Sequence, residues 1–171
     1  MHMLIRKAAI TDAAGIATVH VDCWRTTYKD MISEEFLRNL SYEKRTELWT
    51  NNISREDSSI FVAVDEEGRI IGFTSGSGVK PGEYQEFDGD VTSIYILEKC
   101  QGQGIGRKLL SRLFEEFRSL GFRAAIVKVL EENNSRRFYE AMGARLVDST
   151  IVKIAEDQLT LLVYGWEDIR I

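Results

Sequence analysis

The stretch Ile94-Tyr95-Ile96-Leu97-Glu98-Lys99-Cys100-Gln101-Gly102-Gln103-Gly104-Ile105-Gly106-Arg107-Lys108-Leu109-Leu110 decides how this chain is read. Val91 to Leu97 is apolar and β-branched, which predicts a strand. Three glycines then alternate at Gly102, Gly104 and Gly106. After them Leu109, Leu110, Leu113, Phe114, Phe117 and Leu120 recur at helical spacing, with Arg112, Glu115, Glu116 and Arg118 on the other face. A strand thus runs into a glycine-rich turn, and the turn opens a helix. The first amides of a helix have no internal acceptor and point outward. The helix dipole adds partial positive charge there. Glycine lets that backbone approach a bulky anion closely. Gln101 to Gly106 is therefore expected to cradle a phosphate or pyrophosphate, with Arg107 and Lys108 adding charge on the same side.

Two familiar phosphate-binding patterns do not fit. The P-loop, G-x-x-x-x-G-K-[ST], needs its second glycine where Arg107 stands. The dinucleotide pattern, G-x-G-x-x-G, needs its third glycine at Arg107 or Leu109. Glu131 does end the next strand, as a ribose-binding acid does, so nucleotide binding stays as the lesser alternative. The bland alternative is a turn that merely needs glycine. Three alternating glycines followed by a basic pair argue against it.

Working outward, the helix is expected to stop at Gly121 and lead to a strand at Ala124-Ala125-Ile126-Val127-Lys128-Val129-Leu130. That alternation makes a right-handed β-α-β crossover with two parallel strands. Asn133-Asn134-Ser135 opens a short helix stopped by Gly143, and two strands close the chain, turning at Glu156-Asp157. Upstream, Leu4, Ile5, Ala8 and Ile10 predict a first strand, and Thr11-Asp12 a helix start. Ile16, Val19, His20, Cys23, Trp24 and Thr27 share one helical face. Further helices begin at Ser33 and Ser41, the latter with Leu48 and Trp49 facing inward. Ile60 to Val64 and Ile70 to Phe73 form a hairpin, and Gly76 to Gly89 reads as a polar loop around Pro81, the single proline. The expected fold is α+β: a central, mostly antiparallel twisted sheet of about seven strands with one parallel β-α-β pair and helices on both faces.

Composition bounds the rest. At 171 residues the chain reads as one domain, 1–171, with an ordinary globular balance of 44% hydrophobic and 29% charged residues. There are 22 Lys+Arg against 27 Asp+Glu, so no nucleic-acid partner is expected. No long apolar run points to a membrane. Cys23 and Cys100 lie far apart, without the spacing of a zinc site or a disulfide framework, and fit two free thiols in a reducing cytoplasm. No metal is expected. Met1-His2 precedes Met3 and is given no role, and neither His2 nor His20 is placed to activate Cys100 as a nucleophile.

Gln101-Gly102-Gln103-Gly104-Ile105-Gly106 matches the Q/R-x-x-G-x-G/A signature of the GNAT superfamily of acyl-CoA-dependent N-acyltransferases. Asn133-Asn134-Ser135-Arg136-Arg137-Phe138-Tyr139-Glu140-Ala141-Met142-Gly143 resembles a second block of that family, N-x-x-R-x-F-Y-E-x-x-G. Val19 to Tyr28 looks like the first helix of one bacterial branch. One departure is Ala144, where a Phe often follows the glycine; it touches packing more than chemistry. Two motifs in the right order make the resemblance more specific than either alone, and it extends to Tyr164-Gly165-Trp166.

The resemblance implies acetyl-CoA as co-substrate. Its pyrophosphate would sit on the amides of Gln101, Gly102, Gln103, Gly104, Ile105 and Gly106, with Arg107 and Arg136 beside it. Pantetheine would pair along Ile94, Tyr95 and Ile96, where the parallel strands splay at the acyl-CoA site, and Asn133 would bond it. An amide near Ile96 would polarise the thioester carbonyl. An alkylammonium must lose a proton before it attacks, and the thiolate gains from a donor. Tyr139 matches the family's acid, and the alternative reading is a core aromatic beside Phe138. Asp90 aligns with a family carboxylate that is more usually Glu; it is the expected base through water, with Glu83 and Glu86 as alternatives. Trp24, Tyr28, His20 and Glu83 are expected at the acceptor, an aromatic wall that suits a cation. The expected activity is cytoplasmic N-acetyl transfer to a primary amine of a small molecule or peptide, by direct attack in a ternary complex. A non-catalytic acyl-CoA sensor is the alternative. Pairing of the last strands in a homodimer is an expectation by analogy alone.

Overall fold

A computed structural model describes residues 3–171. Met1 and His2 lie outside the described residues. The strands are β1 (Leu4–Lys7), β2 (Ser58–Val64), β3 (Ile70–Gly78), β4 (Gly89–Ile96), β5 (Ala125–Leu130), β6 (Arg145–Ile154) and β7 (Asp157–Trp166). The helices are α1 (Ala13–Thr27), α2 (Glu34–Arg38), α3 (Tyr42–Ser54), α4 (Ile105–Ser119) and α5 (Ser135–Ala141). The seven strands form one sheet in the order β1-β2-β3-β4-β5-β7-β6. Among the described residues only β4 and β5 run parallel. This is the mixed, mostly antiparallel α+β sheet that the sequence predicts.

The two faces of the sheet carry different helices. Leu109, Leu113, Phe114 and Phe117 of α4 pack with Tyr139 and Met142 at α5 against Phe61, Val127, Val129 and Trp166. On the opposite face Ile16, Val19 and Cys23 of α1 and Trp49 of α3 cover Val62 and Phe73. A third cluster joins Tyr28, Ile32 and Leu37 to Leu130, with Val152, Ile154 and Leu161 packed on it.

The local signals mostly hold, with informative exceptions. Ser33 Oγ accepts from Phe36 N and Ser41 Oγ from Lys44 N, so both serines cap helices. Strand β1 ends at Lys7, and Ile10–Asp12 forms a 3-10 turn instead of continuing it. The reason is Asp12: its carboxylate takes Ala9 N at 2.8 Å and both Arg6 guanidinium nitrogens at 2.7 and 2.9 Å, which bends the chain. Leu48 is exposed while Trp49 is buried, and Leu120 is exposed beyond the end of α4. The last hairpin turns at Ala155-Glu156, with Ala155 at φ 53°, and Asp157 already pairs with Ile154.

The predicted loop from Gly76 to Gly89 is shorter than expected. Gly76 and Gly78 belong to β3, and Gly89 starts β4, so only residues 79–88 connect the strands. Two of these glycines serve packing. A Cβ at Gly76 would lie 2.6 Å from Phe117 Cζ, and one at Gly89 would lie 2.7 Å from Phe117 Cε2. Phe117 of α4 presses directly on the backbone there. Gly76→Ala is therefore expected to destabilise the fold by about 1–3 kcal/mol through overpacking, read as a lowered urea midpoint with unchanged slope. An unchanged midpoint would contradict that contact.

Candidate active site

The parallel pairing of β4 with β5 covers Gly89↔Ala125, Asp90↔Ile126 and Val91↔Val127, and then stops. Beyond it β4 stays paired to β3 as far as Ile96, and β5 to β7 as far as Leu130. The facing edges of the two strands are thus left without each other. Leu97 N donates to Ile71 O at 3.0 Å, on the β3 side. Backbone groups alternate along a strand, so the amides of Ile94 and Ile96 point into the gap. Gln101 Nε2 donates to Ile96 O at 3.1 Å, bracing the turn against the end of β4. A shift of register between Ser75 and Gly76 sets Thr92 out of pairing, just where the strands separate.

The glycine turn sits at the end of this gap. Gly102 and Gly104 have φ of 78° and 81°, which L side chains rarely adopt, and Gly104 caps α4. The first bond into the helix is Lys108 N to Gly104 O, so the preceding amides point away from it. Gly106 has a different reason: a Cβ there would come within 3.2 Å of Ile96 and 3.3 Å of Phe138. Alternating glycines therefore combine two positive-φ positions with one close contact.

Gap and turn open into one cleft of about 1110 Å³. Its walls include Ile94, Tyr95, Ile96, Gln101, Gly102, Gly104, Ile105, Gly106, Arg107, Asn133 and Tyr139, together with Trp24 and Tyr28. Gln103, Arg136, His20, Asp90 and Glu83 are not among the wall residues. Gln103 is exposed on the turn and Arg136 is half-buried on α5. Sequence reasoning left out Thr92, Ser93 and Lys128, which do line the cleft. Ser75 Oγ shares hydrogen bonds with Thr92 Oγ1 at 2.7 Å and with Ser93 Oγ. No local pattern announces this hydroxyl cluster, because β3 and β4 bring it together across the bulge.

Tyr139 is 5% exposed and touches Phe138 and Trp166 edge-on. It is at once a core aromatic and a wall of the cleft. Burial, with the Tyr28 hydroxyl nearby, raises its pKa well above the ordinary phenol value. Trp24 Nε1 donates to Tyr95 Oη at 3.0 Å, and Asn133 Nδ2 donates to Tyr28 Oη over a long 3.5 Å. Burial raises the Tyr28 and Tyr95 phenols as well. Three protonated tyrosine hydroxyls thus converge on the cleft.

Asp90 is half-buried on the face of β4 that carries Thr92 and Tyr95. Burial raises its pKa, while Lys128 pulls it down and Glu83 pushes it up. Cys23 is buried, and its thiol is pushed up to about 12 by burial and by Asp22, so it stays a thiol. Among the described residues no group of three or more His, Cys, Asp or Glu side chains could hold a metal ion. No described helix is long and apolar enough to cross a membrane.

With this geometry in view, comparison with known proteins is direct. The Acetyltransferase (GNAT) family profile matches residues 21–144. The chain belongs to the GNAT family. It is 38% identical to the uncharacterized N-acetyltransferase YuaI of Bacillus subtilis, over 96% of this chain and 93% of the relative. It is 27% identical to the L-methionine sulfoximine/L-methionine sulfone acetyltransferase of Pseudomonas aeruginosa, over 79% of this chain and 74% of that one. PaiA N-acetyltransferase of Thermoplasma acidophilum, solved in complex with coenzyme A, shares the fold at TM-score 0.78 and 21% identity, covering 97% of this chain and all of that one (100%). This GNAT protein is accordingly an acetyltransferase.

His20 lies one layer behind the wall. Its Nδ1 accepts from Trp49 Nε1 at 3.0 Å, which requires the neutral ring, and it stacks on Tyr95. Burial pushes its pKa down to about 4 from 6.5, with Arg45 adding to the effect. The unfolded chain takes up this proton near pH 6.5 and the folded chain resists it. The stabilisation is therefore complete above that pH and is lost as pH falls towards 4, by about 3 kcal/mol in all. Urea unfolding at pH 7 and pH 4.5 should show this loss in the wild type and a smaller loss in His20→Asn. Equal losses in the two proteins would contradict it.

Proposed function

We propose that this GNAT protein transfers the acetyl group of acetyl-CoA to a primary amine of a small molecule or peptide, by direct attack in a ternary complex. The observation that carries the reading is the gap between β4 and β5, ending at a turn of outward-pointing amides. The edge of β4 offers Ile94 and Ile96 to an extended amide-containing arm, which adds as a strand would. Asn133, buried at the start of α5, is a further partner for that arm. The amides from Gly102 to Gly106 and the Arg107 guanidinium complement a pyrophosphate, whereas the Gln101 amide is already donated to Glu98 O at 3.2 Å. Acetyl-CoA brings the thioester whose carbonyl the Ile96 amide polarises. The relatives of Pseudomonas and of Escherichia coli, the latter an L-amino acid N-acyltransferase, support a small amine as acceptor.

The chain's own groups then manage two protons. The amine nitrogen bonds to the acetyl carbon as the carbon–sulfur bond breaks. Tyr139, kept protonated by burial, donates to the departing sulfur. The amine's proton leaves through water towards Asp90, whose carboxyl is held off the cleft wall and made more basic by burial. Glu83 and Glu86 on the connection 79–88 are the other carboxylates able to receive it.

Incubation with acetyl-CoA and an amine panel, with thiol release as readout, tests the activity. Tight acetyl-CoA binding without release for any amine would count against it. Tyr139→Phe is expected to lower kcat about 10²-fold with acetyl-CoA affinity kept. Unchanged turnover would remove the acid assignment. Gly104→Glu strains the left-handed position and puts like charge in the cradle, so acetyl-CoA binding should be lost in calorimetry; retained affinity would sink the site.

A further inference from the structure

The charged residues lining the cleft are Glu98, Arg107 and Lys128. Glu98 and Arg107 belong to the glycine turn. Lys128 stands apart on β5, past the point where β5 leaves β4. Around it the wall is made of hydroxyls from Thr92 and Ser93, rings from Trp24 and Tyr28, and the apolar Val152, Ile154 and Leu161 of the last hairpin. Among the described residues of this end of the cleft, Lys128 is the one cation that a bound anion meets.

Its present partner holds it loosely. Lys128 Nζ lies 3.7 Å from Glu83 Oε2, with the side chains 35% and 47% exposed. It also lies 5.8 Å from the centre of the Tyr84 ring. An exposed pair at that separation contributes little and is readily exchanged. Arg6–Asp12 is the contrast, a two-pronged pair at 2.7 and 2.9 Å with Asp12 buried. Asp90 occupies the same face of the sheet, paired through Ile126 two residues before Lys128. The two thus share one face of the sheet, and of the pair it is Lys128 that lines the cleft.

We propose that Lys128 binds a carboxylate of the acceptor, exchanging Glu83 for it, and so selects amines that bear a carboxylate close to the nitrogen. The proposal rests on the acetyl-transfer reading and names the acceptor class for the same site. Lys128 is a specificity residue; it takes no part in bond making.

The test is steady-state kinetics with L-methionine, L-methionine sulfone and L-phenylalanine, each against its α-carboxamide, and with phenethylamine. The wild type should favour at least one acid over its carboxamide by tenfold or more in kcat/KM. Lys128→Met should raise KM for that acid tenfold or more and leave KM for the carboxamide within twofold. Lys128→Arg should restore much of the preference, and Glu83→Gln should lower KM for the acid. Thermal melting of each variant separates a folding defect from a binding one, since Lys128 is solvent-facing. Preference for the carboxamide or phenethylamine, or equal effects of Lys128→Met on acid and carboxamide, would overturn the proposal while leaving acetyl transfer standing. No thiol release from any acceptor in the wild type would overturn both.

Discussion

Backbone amides and carbonyls in a sheet need partners, and β4 and β5 withhold theirs from each other after Val91 and Val127. Two central strands separate inside a seven-stranded sheet, and each keeps its outer neighbour. The gap persists because both outer pairings are long, Gly72–Gly78 with β4 and Leu161–Trp166 with β5. It ends at α4, whose first amides also lack internal acceptors. An unpaired strand edge and an unpaired helix start thus open into one cleft.

The packing around the gap serves the same end. Phe117 presses on Gly76 and Gly89 at the point where the strands still pair, while Gly106 lets α4 approach Ile96 and Phe138 where they do not. On the other face α1 and its C-cap bring Trp24 and Tyr28 to the wall of the cleft, and His20 backs Tyr95 from behind. Trp24, Tyr95, Tyr28 and Asn133 fix one another's polar atoms, so the aromatic wall is held by hydrogen bonds as well as by stacking. Tyr139 closes the core against Trp166 and also lines the cleft.

Much of this was legible in the sequence, because its signals are local. The glycine turn, the amphipathic α4 and the short α5 carrying Tyr139 each occupy a continuous stretch, and alternation along the chain predicted a parallel pair. What sequence could not supply depends on register between distant strands. The bulge beside Ser75 adds Thr92 and Ser93 to the wall, and it exists only in the pairing of β3 with β4. Lys128 reads as an ordinary exposed position in a buried strand until the gap beside it is seen. His20 shares a helical face with Trp24, yet Trp49 of α3 draws it into the core. Gly76 and Gly89 read as loop residues because glycine signals turns and close packing alike, and only Phe117 distinguishes the two.

If the β4 edge and the α4 amides together receive acetyl-CoA, their backbone N–H groups lose access to water when it binds. Amide hydrogen exchange, followed residue by residue as acetyl-CoA is added, tests this most directly. Slowed exchange is expected at Ile94, Ile96 and the amides from Gln103 to Arg107, with β1 and β2 unchanged. Saturating acetyl-CoA that leaves those amides exchanging as before, or that protects a different surface, would contradict it.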